Sequence, residues 1–132
     1  MARLTFDSCF LIDFERERAG KKITGSPREF LARNSAVELS ISPVALGEYA
    51  IGFPDPSHPE LIKVMENFEL IPSSPEVALI YARIYRDLSK SKSQIGGNDL
   101  WIAAYSLAVG HSLVTNNTRE FMRIDGLNVI TY

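Results

Sequence analysis

The sequence is poor in the groups that staple small proteins together or tie them to a membrane. Its 132 residues contain one cysteine, Cys9, so a framework of disulfides is excluded as the source of stability. Histidines number two, His58 and His111. Both stand in loop-like stretches with no partner at metal-ligand spacing, which argues against a zinc site and leaves each with an expected surface role. No apolar run approaches the roughly 18 residues of a membrane-spanning helix, and the N-terminus lacks the basic-then-apolar order of a secretory signal. A cytoplasmic location with no membrane partner is therefore expected. Excess positive charge is also missing: 14 Lys and Arg face 16 Asp and Glu, a formal net charge of −2. That balance argues against a protein that coats nucleic acid nonspecifically, since such affinity comes from neutralising many phosphates. It leaves room for a local basic patch beside an acidic site.

What is present is a chain that is 45% apolar and 23% charged, long enough to bury about two-thirds of its unfolded surface as one domain over residues 1–132. Short β-type runs alternate with helical patterns, the signature of an α/β fold with a mainly parallel sheet. Five strands are predicted: Arg3 to Asp7, Glu38 to Ser42, Phe68 to Ile71, Ser112 to Thr115 and Asn128 to Thr131. Ser26-Pro27, Ser42-Pro43 and Ser74-Pro75 mark helix starts, because Ser caps free N–H groups and Pro at the first helical position sacrifices no hydrogen bond. Glu29 completes a capping box with Ser26 for a helix to about Asn34, and Ser57 with Glu60 repeats the spacing before Leu61. From Pro75, Val77, Ile80, Tyr81, Ile84, Tyr85 and Leu88 share one apolar face, and that helix should end within the polar stretch Ser89 to Gly97. Asp99 to Val109 reads as a buried helix closed by Gly110.

Several carboxylates fall inside apolar surroundings or at the ends of strands, where their presence needs an explanation. Asp7 ends the first strand, at the sheet edge where open α/β folds bind ligands; a cap for the following segment is the alternative. Glu48 lies among apolar neighbours in the first turns of the helix after the second strand, within reach of the same edge; a solvated helix face is the alternative. Asp99 opens the apolar helix after Gly96-Gly97-Asn98, where a cap or first-turn acid favoured by the helix dipole is the other reading. After the fourth strand come Asn116 and Asn117, with Glu120 three residues on. Three carboxylates and an amide converging on one edge would make an oxygen-rich site suited to Mg²⁺ or Mn²⁺ rather than zinc. Cys9 has no histidine near it in sequence and is expected to pack as a small apolar residue.

These stretches resemble the PIN-domain ribonucleases, and within them the VapC-type toxins of prokaryotic toxin-antitoxin pairs. The resemblance is carried by Phe6-Asp7-Ser8-Cys9-Phe10-Leu11-Ile12-Asp13, the Glu48 segment, Asn98-Asp99-Leu100-Trp101-Ile102-Ala103-Ala104 and Leu113-Val114-Thr115-Asn116-Asn117-Thr118-Arg119-Glu120-Phe121. It implies a PIN-like three-layer α/β/α sandwich and Mg²⁺- or Mn²⁺-dependent hydrolysis of RNA phosphodiesters. By position, Asp7, Glu48 and Asp99 would bind metal and Asn117 would take the fourth catalytic place. Ser8 and Thr115 would support the cluster. Many relatives carry Asp where Asn117 stands, so a second metal is in question here, and Glu120 is a candidate substitute. Lys90, Lys92 and Arg119 are candidate substrate contacts, with Arg83 and Arg86 in the same basic stretch. The resemblance further implies a cognate antitoxin seated in a groove, for which Phe10, Phe14 and Phe30 are candidate lining residues unless they are core, and a homodimer. It does not select among transfer, ribosomal and messenger RNA.

Two other acid-bearing folds fit worse. A phosphatase of the haloacid dehalogenase type needs a second Asp two positions after the first, where this chain has Cys9, and a receiver domain needs paired acids and a late lysine. The competing function is a PIN-like module that binds RNA or protein with little catalysis, which the neutral Asn117 favours.

Overall fold

The computed structural model describes residues 3–132. Its central layer is one five-stranded, all-parallel sheet in the order β3-β2-β1-β4-β5. The strands are β1 (Arg3–Phe6), β2 (Glu38–Ile41), β3 (Glu69–Leu70), β4 (Ser112–Val114) and β5 (Val129–Ile130). In β1, Thr5 and Phe6 point to opposite faces and neither is exposed. Both faces of the sheet are therefore covered by helices, as a parallel sheet requires. Phe6 meets Phe10, Phe30 and Phe68 in tilted or edge-on aromatic contacts that fix one helical layer against the sheet.

The helices are α1 (Ser8–Arg18), α2 (Pro27–Arg33), α3 (Pro43–Ala50), α4 (Pro59–Asn67), α5 (Pro75–Lys90), α6 (Gly97–Val109) and the single turn α7 (Thr118–Phe121). Helix α1 packs on α2 and α3, while α5 packs along α6. The three Ser-Pro starts behave as the sequence predicts. Ser26, Ser42 and Ser74 each accept a hydrogen bond from the N–H three residues on, with Pro at the first helical position. Gly110 ends α6 with φ of 71°, the left-handed conformation glycine adopts without strain.

Three local expectations are corrected. Helix α4 is capped by His58, whose Nδ1 accepts from Glu60 N–H at 3.2 Å, and not by Ser57, which Asp55 holds in a tight turn. Helix α6 begins at Gly97 and not at Asp99, which decides between the two readings of Asp99 in favour of a first-turn acid. Each predicted strand is one or two residues too long; Asp7 and Thr115 follow their strands, with their N–H groups still bonded across to Val114 O and Ile130 O.

Sheet order places the functional edge. The chain runs from β1 outward to β2 and β3, then crosses to β4 and β5 on the other side of β1. The direction of winding reverses between β1 and β4, and a crevice opens past the C-terminal ends of strands at such a switch point. Asp7 follows β1 there, with its N–H bonded to Val114 O at 3.0 Å, and Thr115 to Asn117 follow β4.

Candidate active site

Asp7 has two structural duties. Its Oδ1 accepts from Ser8 N–H at 2.8 Å, which caps α1, and its Oδ2 accepts from the Thr115 hydroxyl at 2.8 Å. Cys9 Sγ stands 3.4 Å from the same Oδ2. The carboxylate is only 3% exposed. Burial pushes its pKa above the ordinary value against the pull of the Thr115, Cys9 and Ser8 hydrogen bonds, and the nearby Glu48 charge pushes the same way as burial.

Glu48 reaches this centre from α3. Its Oε1 accepts from the Ser8 hydroxyl at 2.9 Å and its Oε2 from the Asn98 amide at 3.3 Å. Asp99, next to Asn98 in the first turn of α6, accepts from the Asn117 amide at 3.2 Å, and Asn117 N–H donates to Thr115 Oγ1 at 3.0 Å. These bonds close a circuit: Asp7, Thr115, Asn117, Asp99, Asn98, Glu48, Ser8 and back to Asp7. Segments distant in sequence meet in it because β1 and β4 are neighbours and the first turns of α3 and α6 project over their ends.

The circuit holds negative charge that no cation among the described residues pairs with. Among the described residues, no Lys or Arg forms an ion pair with Asp7, Glu48, Asp99 or Glu120. Asp99 carries the consequence: burial, then the charges of Asp7, Glu48 and Glu120, push its carboxyl up to about 6, and the Asn117 hydrogen bond only partly opposes them. The carboxylates offer hard oxygens, the donors that suit Mg²⁺ or Mn²⁺, with the Cys9 thiol the one soft group beside them. Among the described residues no three acids are drawn into a ready ligand cluster. The neutral donors Ser8, Thr115, Asn98 and Asn117 hold the carboxylates instead. The donor chemistry and the unrelieved repulsion fit a divalent cation.

The structure thus brings together Asp7, Glu48, Asp99, Asn117, Ser8 and Thr115, with Glu120 near enough for its charge to act on Asp99. Lys90, Lys92 and Arg119 are exposed and bond to none of these acids among the described residues. Asn98 escaped assignment because an amide before a first-turn acid carries no signal of its own. Cys9 is a correction. It does not sit among apolar side chains but lies 3.3 Å from Thr115 Oγ1 and 3.4 Å from the Tyr132 hydroxyl, as well as beside Asp7. Tyr132 also donates to Asp13 at 2.7 Å. His58 is exposed as expected, whereas His111 is half-buried against the Thr5 hydroxyl, and burial lowers its pKa. Phe10 and Phe30 are core, while half-buried Phe14 lines an apolar groove of about 310 Å³ with Phe10, Tyr49, Val64 and Phe68.

Comparison with known proteins agrees with this architecture. Residues 5–127 match the PIN domain family. The chain is 37% identical over 101 residues to Ribonuclease VapC1 of Rickettsia felis, covering 69% of this chain and 74% of that one. It is 34% identical over 108 residues to Ribonuclease VapC2 of Haemophilus influenzae, covering 76% and 82%. Among solved structures, VapBC2 from Rickettsia felis, bound to a DNA fragment from their promoter, superposes with a TM-score of 0.81 at 25% identity over 98% of both chains. The edge that gathers the carboxylates and the fold that carries it lead to one assignment: the chain belongs to the PIN domain family, among relatives named Ribonuclease VapC.

Proposed function

We propose that the protein is a Mg²⁺- or Mn²⁺-dependent endoribonuclease and the toxin component of a toxin-antitoxin pair. The observation that carries this reading is the convergence of Asp7, Glu48 and Asp99 on the β1/β4 switch point with no cation paired to them among the described residues. The relatives named Ribonuclease VapC support it.

Each residue has a definable part in phosphodiester hydrolysis. Ser8 and Thr115 fix the two oxygens of Asp7 and so orient the most buried carboxylate. Glu48, held by Ser8 and Asn98, presents the second. A bound divalent cation would neutralise a nonbridging phosphate oxygen and lower the pKa of a water placed for in-line attack. Asp99, half-buried and facing the other acids, would be the carboxylate able to accept a proton from that water. Asn117 holds Asp99 in position and contributes a carbonyl oxygen without charge, and Glu120 supplies further negative charge on that side. Lys90, Lys92 and Arg119 serve as contacts to RNA phosphates flanking the scissile bond. The products expected are a 5′-phosphate and a 3′-hydroxyl.

The partner of this reading is a cognate antitoxin whose apolar segment fills the groove beside Phe14, and the working form is a homodimer in the cytoplasm. Among the described residues no helix is long and apolar enough to cross a membrane. The second reading, a weakly catalytic module that binds RNA or protein, is favoured by Asn117 alone. Purified, folded protein free of antitoxin should cut a mixed RNA pool with Mg²⁺ or Mn²⁺ and not with EDTA. Metal-independent cutting would overturn the mechanism. RNA binding without cutting would favour the second reading.

A further inference from the structure

Outside the acidic circuit, the α5–α6 face carries an aromatic stack that begins against the core with Trp101 and Tyr81 and that the proposed chemistry does not use. Trp101, the only tryptophan, lies two residues beyond Asp99. Its ring stacks on Tyr81 with centroids 3.9 Å apart and planes 21° apart. Tyr85 continues the series at 6.5 Å and 22°, and ends it half-exposed, at 51%. Tyr81, Tyr85, Gln94 and Gly97 line a cleft of about 190 Å³. That is smaller than the roughly 300–1,000 Å³ of pockets that enclose drug-sized ligands, and it suits one planar ring. The cleft shares the first turn of α6 with the acidic site, since Gly97 lines it and the next two residues bond to Glu48 and Asn117.

Gly96 and Gly97 sharpen the point. Neither has a positive φ, and a Cβ at either would meet nothing within 4 Å. Backbone geometry and packing do not require glycine there, whereas a ligand lying close to the backbone would. Arg86 and Lys90 are exposed on α5 and, among the described residues, make no ion pair.

We infer that this cleft is a subsite that stacks one nucleobase of the RNA strand adjoining the scissile phosphate on Tyr85, with Tyr81 and Trp101 as its rigid backing and Gly97 as its open floor. Aromatic faces accept any base, and cations along the same helix complement the phosphates that accompany it. The inference rests on the ribonuclease reading.

The test measures KM and kcat for cleavage of a single-stranded RNA pool, and the Kd of a labelled pool for an uncleaving Asp7→Asn background. Tyr85→Ala should raise Kd and KM about tenfold, within the range for loss of base–aromatic stacking, while kcat changes little. Tyr85→Phe keeps the ring and should retain wild-type values. Gly97→Ala should leave the melting temperature unchanged or raised, because Ala favours helix over Gly, yet raise Kd and KM. Unchanged Kd and KM in both Tyr85→Ala and Gly97→Ala overturn the subsite while leaving the nuclease intact. An altered sedimentation coefficient in Tyr85→Ala with unaltered RNA affinity also overturns it, and assigns the face to a second copy of the chain. Failure of the wild type to bind or cut RNA would instead sink the ribonuclease reading itself.

Discussion

Asp7 and Asp99 stand on opposite sides of one crevice and are treated in opposite ways. Asp7 is buried and surrounded by donors, the Ser8 N–H, the Thr115 hydroxyl and the Cys9 thiol, supplied by the strand ends and α1. Asp99 is half-buried, has one amide for a partner, and faces three other acids. One carboxylate is fixed by the protein. The other is left with a charge that the protein does not settle, which is the condition in which a cation or a proton from a reacting water is bound most usefully. The neutral bonds give the site its shape, and the unbalanced charge gives it its affinity.

The largest effect should come from removing either charge. Asp7→Asn and Asp99→Asn are each expected to lower RNA cleavage by at least about a hundredfold, the scale of a lost acid-base group. A variant that cuts at the wild-type rate would remove that residue from the chemistry and break the comparison. Next in size is the response to metal. Mn²⁺ at about a hundred times its Kd should stabilise the wild type by about 2.7 kcal/mol, read as a raised melting temperature, since it binds only the folded site. Asp99→Asn should lose most of that gain.

Thr115 joins the two sides, since its buried hydroxyl donates to Asp7 and accepts from Asn117 N–H. Thr115→Val should cost about 1–3 kcal/mol in urea unfolding, because a backbone N–H and a carboxylate both lose their partner. Asn117→Ala should cost less, its amide serving only Asp99 at the half-exposed rim.

A pH series sharpens the contrast. Folding raises the Asp99 carboxyl from 3.8 to about 6, so between those values the unfolded chain has released a proton that the folded chain keeps. The stability this group contributes is full below about 3.8, falls as pH rises, and is gone above about 6. In metal-free buffer Asp99→Asn should therefore melt higher than wild type at pH 7, and the difference should vanish by pH 4. The smallest effect is expected for Cys9→Ser. It puts a hydroxyl donor beside Asp7 in place of the thiol and should change stability by less than about 0.5 kcal/mol.

Much of this was legible in the residues because local chemistry decides it. Ser-Pro starts, the Ser26–Glu29 spacing and the apolar face from Val77 to Leu88 each specify an element without reference to the rest of the chain. Glu48 stands out as an acid among apolar neighbours, whereas Asp7 and Asp99 each have a local explanation at a helix start and gain meaning only when the three are read together. What the sequence hid depends on sheet order and helix packing. The contact of Cys9 with Thr115 spans 106 residues and follows from the pairing of β1 with β4, and that of Asn98 with Glu48 spans 50 and follows from the packing of α6 on α3. His58 took the cap from Ser57 because Asp55 had already engaged the serine, a competition the spacing alone does not reveal.

The measurement closest to the central claim is a calorimetric titration of Mn²⁺ into metal-free protein at pH 7, wild type beside Asp7→Asn and Asp99→Asn. The account predicts saturable binding in the wild type and its loss in both variants. Binding of equal strength in all three, or none in folded wild type, would contradict the claim that these carboxylates form one cation-dependent site.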